Sequence, residues 1–273
     1  EGFGAGGKQD VTVKDLMTHV SGLKAYESKD VVDEKRLSGE LPSNALIRHY
    51  AALEASYTPR TKYVYSCLNF QTLARLNEEV INGRQGDFLK ERVYGPLGMM
   101  DTAYLLTDTQ AARVAPTHRL KDGKPSTRQV HDPLAKYHMS DVHCPGNAGV
   151  FSTAPDLATY CEMILQNGTH GGQKILSRDI IQKATSVQTP ETIDEKRGLG
   201  WDIYEVKPYM TDLNTRPESY VIGHTGYTGT MIWLDKKSNT YFVFLTNRTF
   251  PKAPEATDQT PSISPIRKRI ADV

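Results

Sequence analysis

No run in this sequence approaches the roughly 20 consecutive apolar residues that a membrane-spanning helix needs. The longest candidates, Thr240–Leu245 and Met231–Leu234, have only the length of strands. Net charge is equally scarce: 33 Lys and Arg stand against 32 Asp and Glu, so no strong field exists to gather a phosphate backbone or an anionic lipid surface. Nucleic acid and membrane are therefore not expected as partners. Cysteine is sparse, and Cys67, Cys144 and Cys161 are an odd number without CxxC spacing, which excludes a disulfide framework or a zinc ribbon and leaves at least one thiol free. Also missing are a GxSxG elbow, an HExxH pair, a P-loop and a GxGxxG set between strand and helix. Zinc-protease, nucleotide-binding and ordinary α/β-hydrolase readings fall with them. The opening Glu1-Gly-Phe-Gly-Ala-Gly-Gly has no initiator Met, basic n-region or apolar h-region, so it is not a signal peptide and reads as the start of a cut-down or processed chain.

What is present suits a globular protein. The 273 residues are 38% hydrophobic, enough for one large domain or two intermixed lobes with a sizeable core. Thr12, with Asp15 three residues on, predicts a capped helix whose apolar face is Val13, Leu16, Met17 and Val20, stopped at Ser21-Gly22. Residues 24–40 read as a surface excursion, and Ser43 as the cap of a second helix carrying Ala45, Leu46, Tyr50 and Leu53. Stronger periodicity predicts a helix over 69–81, another over 87–93, and one from Thr153-Ala-Pro155-Asp156 to about Gln166, with Asp156 closing a capping box. A further helix starts at Ser177. Residues 105–145 carry few apolar runs and read as a long covering loop.

The last third changes period. Residues 220–226, 229–235 and 240–247 are β-branched and aromatic runs joined by tight turns, a three-stranded antiparallel meander. Tyr241, Val243 and Leu245 face one way and Phe242 and Phe244 the other, so both faces of the sheet are apolar and are expected to be covered by helices. Helices first and a meander last, without βαβ alternation, predict an α+β architecture. We expect one domain over 1–273, with a mostly helical lobe at 38–195 and the meander and the start of a terminal helix at 196–273.

Four segments stand out as carriers of chemistry: Thr18-His-Val-Ser-Gly-Leu23, Tyr65-Ser-Cys67, Gly146-Asn-Ala-Gly-Val-Phe-Ser-Thr153 and Gly223-His-Thr-Gly-Tyr-Thr-Gly229. In this order they resemble the serine hydrolases of the class C β-lactamase, DD-peptidase and β-lactamase-like esterase superfamily, over nearly the whole chain. Val11-Thr-Val-Lys-Asp-Leu-Met-Thr-His-Val-Ser-Gly-Leu is similar to that family's TVRDLLTHTSGL stretch, Pro96-Leu-Gly-Met to its PLGM segment, and Gly149-Val-Phe-Ser-Thr-Ala-Pro-Asp-Leu to its GLFSTA.DL.

The resemblance implies a β-lactamase/transpeptidase-like fold and acyl transfer. A Ser of an S-x-x-K helix attacks a carbonyl, a Lys and a Tyr manage its proton, and a K/H-T-G strand holds the substrate. It places Tyr65 as the base or proton relay. His224 and Thr225 become substrate anchors, with Gly226 giving close approach and the Tyr227 N–H donating to a developing oxyanion. Cys67 stands in the substrate-binding position where many relatives carry Asn or Asp, and a thiol is a weaker hydrogen-bonding partner.

The S-x-x-K segment is expected upstream of Glu1, so the intact protein would supply the nucleophile and this piece alone would be inactive, with apolar faces and a sheet edge uncovered. The one S-x-x-K present, Ser21-Gly-Leu-Lys24, sits at a helix C-terminus, where the dipole disfavours an anion, and reads as a helix stop. His118, His131, His138 and His143 fit no compact ligand set and read as loop residues, so neither metal nor organic cofactor is expected. The implied partner is a small-molecule or peptide acyl compound in an extracytoplasmic or periplasmic setting, with the number of subunits open. The alternative from a different class is a non-catalytic binding or scaffold module that keeps the pocket without the chemistry.

Overall fold

In the computed structural model, which describes residues 2–118, 123–126, 130–203 and 220–251 together with 263, 265 and 266, Thr12 opens α1 (Val13–Met17) as the spacing predicts. Its hydroxyl accepts the Asp15 N–H at 3.2 Å, and the Asp15 carboxylate accepts the Thr12 N–H at 2.9 Å. The helix ends earlier than Ser21-Gly22. The Val20 N–H donates to Asp15 O at 3.0 Å and the His19 N–H to Leu16 O at 3.3 Å, with His19 left-handed at φ +61°. This is a Schellman closure with histidine where glycine is usual.

The segment 24–40 is not bare surface. Ser28 accepts the Asp30 N–H to start α2 (Lys29–Glu34), which buries Val32. In α3 (Pro42–Ala52) proline takes the first turn after Leu41, so Ser43 is a buried helical residue and not the cap; proline's fixed φ suits it to that place. The strong periodicity gives α4 (Cys67–Ile81), beginning two residues before Asn69. Next come α5 (Gln85–Leu89) and a π turn at Lys90–Tyr94. The described residues of 105–145 hold two helices that their thin apolar content hides: α6 (Asp108–Ala111), capped by Thr107, and α7 (Pro133–His138), whose cap Asp132 accepts the Ala135 N–H at 2.7 Å.

The chain folds as two compact units. The first comprises Glu1–Arg92, Val130–Val150 and Gln188–Gly200, and its core gathers Leu16, Leu23, Leu46, Tyr50, Leu68 and Leu134.

The second unit comprises Val93–Gln129, Phe151–Val187 and Trp201–Val273. Thr153 caps α8 (Ala154–Leu165) through the Asp156 N–H at 3.4 Å. The Asp156 carboxylate, expected to reach back to that cap, instead accepts the Asp101 N–H at 2.9 Å and the Thr102 hydroxyl at 2.7 Å. A ribbon of β1 (Thr169–His170) and β2 (Gln173–Lys174) leads to α9 (Arg178–Ala184), capped by Ser177. The sheet is antiparallel in the order β3-β4-β5-β6, with β3 (Asp202–Ile203), β4 (Val221–Thr225), β5 (Met231–Asp235) and β6 (Thr240–Phe244). Its register sets Gly223 opposite Trp233 and Trp233 opposite Phe242.

Alternation then sorts the side chains as the sequence predicts. Ile222, Ile232, Leu234, Tyr241 and Val243 pack in one cluster with Cys161, Met163 and Ile164 of α8. Val221, Met231, Trp233, Phe242 and Phe244 form a second cluster on the opposite face. Among the described residues, no helix is long and apolar enough to cross a membrane.

Candidate active site

In the first unit the candidate site centres on Tyr65, two residues before α4, with its side chain 44% exposed. What holds it is the histidine of the Thr18-His-Val-Ser-Gly segment. The His19 ring is fully buried, lies tilted by 39° against the Tyr65 ring with centroids 4.3 Å apart, and meets Phe70 at 5.2 Å. Its Nδ1 lies 3.1 Å from the Ser66 N–H and 3.1 Å from Asn69 Nδ2. Both partners are donors, so Nδ1 is an acceptor and the ring is neutral with its proton on Nε2. The left-handed backbone of His19 is sustained by these contacts. Ser21, read from the sequence as a helix stop, lies beyond the closure of α1 at His19; its Oγ donates to Asn69 Oδ1 at 2.6 Å and accepts the Leu23 N–H. Ser66 does not cap α4 with its side chain; its hydroxyl donates to Lys24 O at 2.6 Å and ties the Tyr65 backbone to the segment after α1.

Arg197 completes this surround. Its side chain is 1% exposed, its guanidinium carbon lies 5.9 Å from the centre of the Tyr65 ring, and Nη2 donates to Gly200 O at 3.5 Å. The Gln188–Gly200 segment is fixed by Gln188 N–H to Arg197 O at 2.7 Å and Gly200 N–H to Met17 O at 3.3 Å.

Cys67, the first residue of α4, belongs to a polar chain in the same unit. Burial pushes its thiol up from the ordinary value, opposed by a hydrogen bond from Asn147, while Asp132 adds to the rise. The thiol therefore stays protonated and is no nucleophile. Asn147 Nδ2 donates to Asp132 Oδ1 at 3.2 Å and its Oδ1 accepts from Gln71 Nε2 at 2.7 Å. Gln71 Oε1 in turn accepts from His138 Nδ1.

His138, read from the sequence as a loop residue, is a fully buried helical one. Burial first, then the charges of His143 and Arg75, pull its imidazole down to about 3. The unfolded chain protonates this ring near pH 6.5 and the folded chain only near 3, so within that window the unfolded state binds more protons and stability falls as the pH falls. The slope is up to about 1.4 kcal/mol per pH unit. Denaturant midpoints measured from pH 7 to pH 4 should show this loss, and His138→Gln should flatten it; an unchanged slope would assign the sensitivity to another group.

In the second unit, β4 delivers the other predicted residues. His224 pairs with Ile232 and Thr225 with Met231, so His224 lies on the Ile222 face and Thr225 on the Val221 face. His224 Nδ1 is 2.9 Å from Thr225 O, which fixes the proton on that nitrogen. Beyond the strand, the Gly226 N–H donates to Thr230 O at 2.8 Å and the Gly229 N–H to Gly226 O at 3.0 Å. A Cβ on Gly226 would stand 2.3 Å from Thr230 Oγ1, so a side chain there would force the Thr230 hydroxyl to move. The Tyr227 ring is 61% exposed beneath the Arg248 guanidinium, and Tyr227 O accepts from Arg248 Nε at 3.0 Å. Tyr65 and Cys67 thus belong to one unit, and His224, Thr225, Gly226 and Tyr227 to the other. Among the described residues, no group of three His, Cys, Asp or Glu side chains is placed to hold a metal ion.

An antiparallel sheet backed by α8, together with a helical unit that presents a tyrosine before a long helix, is the β-lactamase/transpeptidase-like α+β architecture. The Beta-lactamase family profile matches residues 2–261, and the chain belongs to that family. A protein of Escherichia coli (strain K12) named "Putative D-alanyl-D-alanine carboxypeptidase" is 28% identical over 270 residues, covering 93% of this chain and 60% of that one. A protein of the same name from Salmonella gallinarum (strain 287/91 / NCTC 13346) is 28% identical over 276 residues, covering 95% and 61%. The chain thus spans about 60% of the length of these relatives. A solved penicillin-binding protein homolog from Caulobacter crescentus superposes with a TM-score of 0.70 at 19% identity, over 99% of this chain and 74% of that one. EstCE1, a hydrolase with promiscuous acyltransferase activity, superposes with 0.66 at 18%, over 96% and 71%.

His19 and Arg197 are the neighbours of Tyr65 that sequence reasoning passes over. His19 lies inside a recognisable motif yet carries no assigned role there, and Arg197 lies in a charged stretch that looks solvated.

Proposed function

We propose that this chain is part of a serine hydrolase that opens an ester, amide, peptide or β-lactam carbonyl through an acyl-enzyme, its nucleophile contributed by an upstream segment of the intact protein. The observation that carries this reading is Tyr65 itself: a half-exposed phenol on a backbone locked by His19 and Ser66, as a proton relay requires. The hydroxyl proton of the attacking serine passes to Tyr65 Oη as the new C–O bond forms, and from there to the leaving group. His224 and Thr225, on opposite sides of the end of β4, anchor different parts of the substrate. The Tyr227 N–H is the oxyanion donor, since the neighbouring Gly226 N–H is already committed to Thr230. Cys67, protonated and tied to Asn147, takes no part in proton transfer. The relatives' names, a carboxypeptidase acting on D-alanyl-D-alanine and an acyltransferring hydrolase, support an acyl carbonyl as the reacting group.

Intact-mass spectrometry of the natural full-length chain after exposure to a fluorophosphonate or a β-lactam tests this. A stoichiometric adduct on one serine upstream of Glu1 is the expected result. No adduct with either reagent would overturn the reading in favour of a non-catalytic binding module.

A further inference from the structure

Within the first unit, α3, α4 and α7 bring four polar side chains together around the start of α4. Cys67 and Gln71 stand one turn apart on a single face of α4, and Asn147 joins them, bonding the thiol and accepting from Gln71 Nε2 at 2.7 Å. Asn147 Nδ2 also donates to Asp132 Oδ1 at 3.2 Å, which brings the cap of α7 to the same place. The Cys67 N–H donates to Ala25 O at 2.9 Å and so sets Tyr26 alongside, where the phenol takes a hydrogen bond from the Leu134 backbone. The fourth side chain is Tyr50 of α3. It is wholly buried in the core that holds Leu68, next to Cys67, and Leu134 of α7. Its hydroxyl has no hydrogen-bond partner among the described residues. A buried hydroxyl is costly to leave unpaired and calls for a reason.

The charge at this place is negative. Burial first, then Cys67, Glu27, Tyr26 and Asp132, raise the Tyr50 hydroxyl well above an ordinary phenol, and burial first, then Asp132 and Cys67, push Tyr26 up to about 12. Both phenols are therefore neutral. Glu27 is already matched by Lys24 at 2.6 Å and His49 at 2.7 Å. Asp132 is not: its Oδ1 accepts from two neutral donors, the Ala135 N–H and the Asn147 amide, and among the described residues no lysine or arginine pairs with it.

We propose that Asp132, the Tyr50 hydroxyl and the Cys67 sulfur form a subsite for an ammonium group of the substrate, so that the favoured acyl compounds carry a free amine within a few bonds of the reacting carbonyl. This rests on the hydrolase reading and narrows its substrate class. A carboxylate oxygen, a phenol oxygen and a sulfur are all acceptors, and an ammonium has three donors and no acceptor. The carboxylate offsets the cost of drying the cation, whereas an anionic group at the same position would meet a like charge.

The test compares kcat/KM of the natural full-length chain for the phenyl esters of racemic alanine and racemic lactic acid, which place an ammonium and a hydroxyl at the same atom. The alanine ester should be favoured by about 10–100-fold, the range of a hydrogen bond to a charged group. Asp132→Asn, which keeps the cap of α7 because asparagine caps as well as aspartate, should bring the two esters near parity. Tyr50→Phe should reduce the preference without lowering the melting temperature, since the hydroxyl it removes holds nothing in the fold. A wild-type chain that does not favour the alanine ester overturns the proposal, whatever the variants do. So does a preference that both variants leave unmoved, or a Tyr50→Phe protein that melts earlier and keeps the preference. Binding of n-propylammonium, followed by 15N–1H resonances, separates this subsite from the chemistry. A chain that takes no acyl label yet binds this cation, and loses it in Asp132→Asn, keeps the subsite and loses the hydrolase reading. A labelled chain indifferent to the amine does the reverse.

Discussion

Tyr65→Phe is expected to slow acylation of the natural full-length chain by about 10²–10⁴-fold, the range general acid–base catalysis contributes, while leaving the melting temperature almost unchanged. The two halves of that expectation have separate causes. Phenylalanine keeps the aromatic ring and therefore the tilted contact with His19 at 4.3 Å and the place beneath Arg197. The backbone tie through the Ser66 N–H to His19 Nδ1 is not touched. With the side chain 44% exposed, little desolvation is at stake, and substitutions of this kind usually stay within about 0.5 kcal/mol. Only the atom that would carry the proton is removed. Single-turnover labelling with a β-lactam, read by mass spectrometry, measures the first half, and a calorimetric scan the second. Undiminished acylation would remove Tyr65 from the chemistry. A lost transition would show that the hydroxyl serves the fold.

How far such a site is legible in sequence depends on whether the deciding interaction is local. The capping box of α1 is visible because Thr12 and Asp15 face each other across one turn, and the meander because alternation along β6 fixes both faces at once. The cap of α3 falls elsewhere than Ser43 because Pro42, preset for the first helical turn, overrides the better capping chemistry of the serine. The end of α1 comes earlier than the periodicity suggests because nothing local says that a histidine will take the left-handed position. That cost is offset by contacts with Ser66, Asn69 and Tyr65, some fifty residues away. Arg197 and His138 are hidden for the same reason. Each is a polar residue in a polar stretch, and its burial follows from contacts with α4 and the Tyr65 loop. The Tyr65 and His224-Thr225-Gly226 motifs are found by resemblance, whereas the reason the Thr18–Leu23 segment accompanies Tyr65 is visible only in space: it is the mount on which the phenol sits.

Gly146→Ala is expected to cost about 3 kcal/mol or more, at the upper end of what overpacking does, although an alanine at an ordinary glycine position often stabilises. A Cβ at residue 146 would stand 1.9 Å from Phe70 O, 2.6 Å from Phe70 C and 3.1 Å from the Ala74 Cβ. The first two are backbone atoms in the body of α4, whose Leu68 and Leu73 are embedded in the core, so neither side of the clash can yield cheaply. The consequence reaches the site, because Asn147 follows directly and holds Gln71 and Asp132 through its amide. Pushing the segment off α4 should release Cys67 from Asn147 and raise its reactivity toward a thiol reagent. Gly83→Ala supplies the contrast. Its Cβ would meet nothing closer than Ile81 O at 3.9 Å, and its backbone, like that of Gly146, lies outside the left-handed region. A gain of about 0.4–1 kcal/mol from the stiffer unfolded chain is expected there. Urea denaturation of the two variants beside wild type separates the effects. Equal responses at 146 and 83 would mean that α4 and the Gly146 segment do not pack at this distance, and the polar chain from Asp132 to His138 would lose the contact that holds it in register.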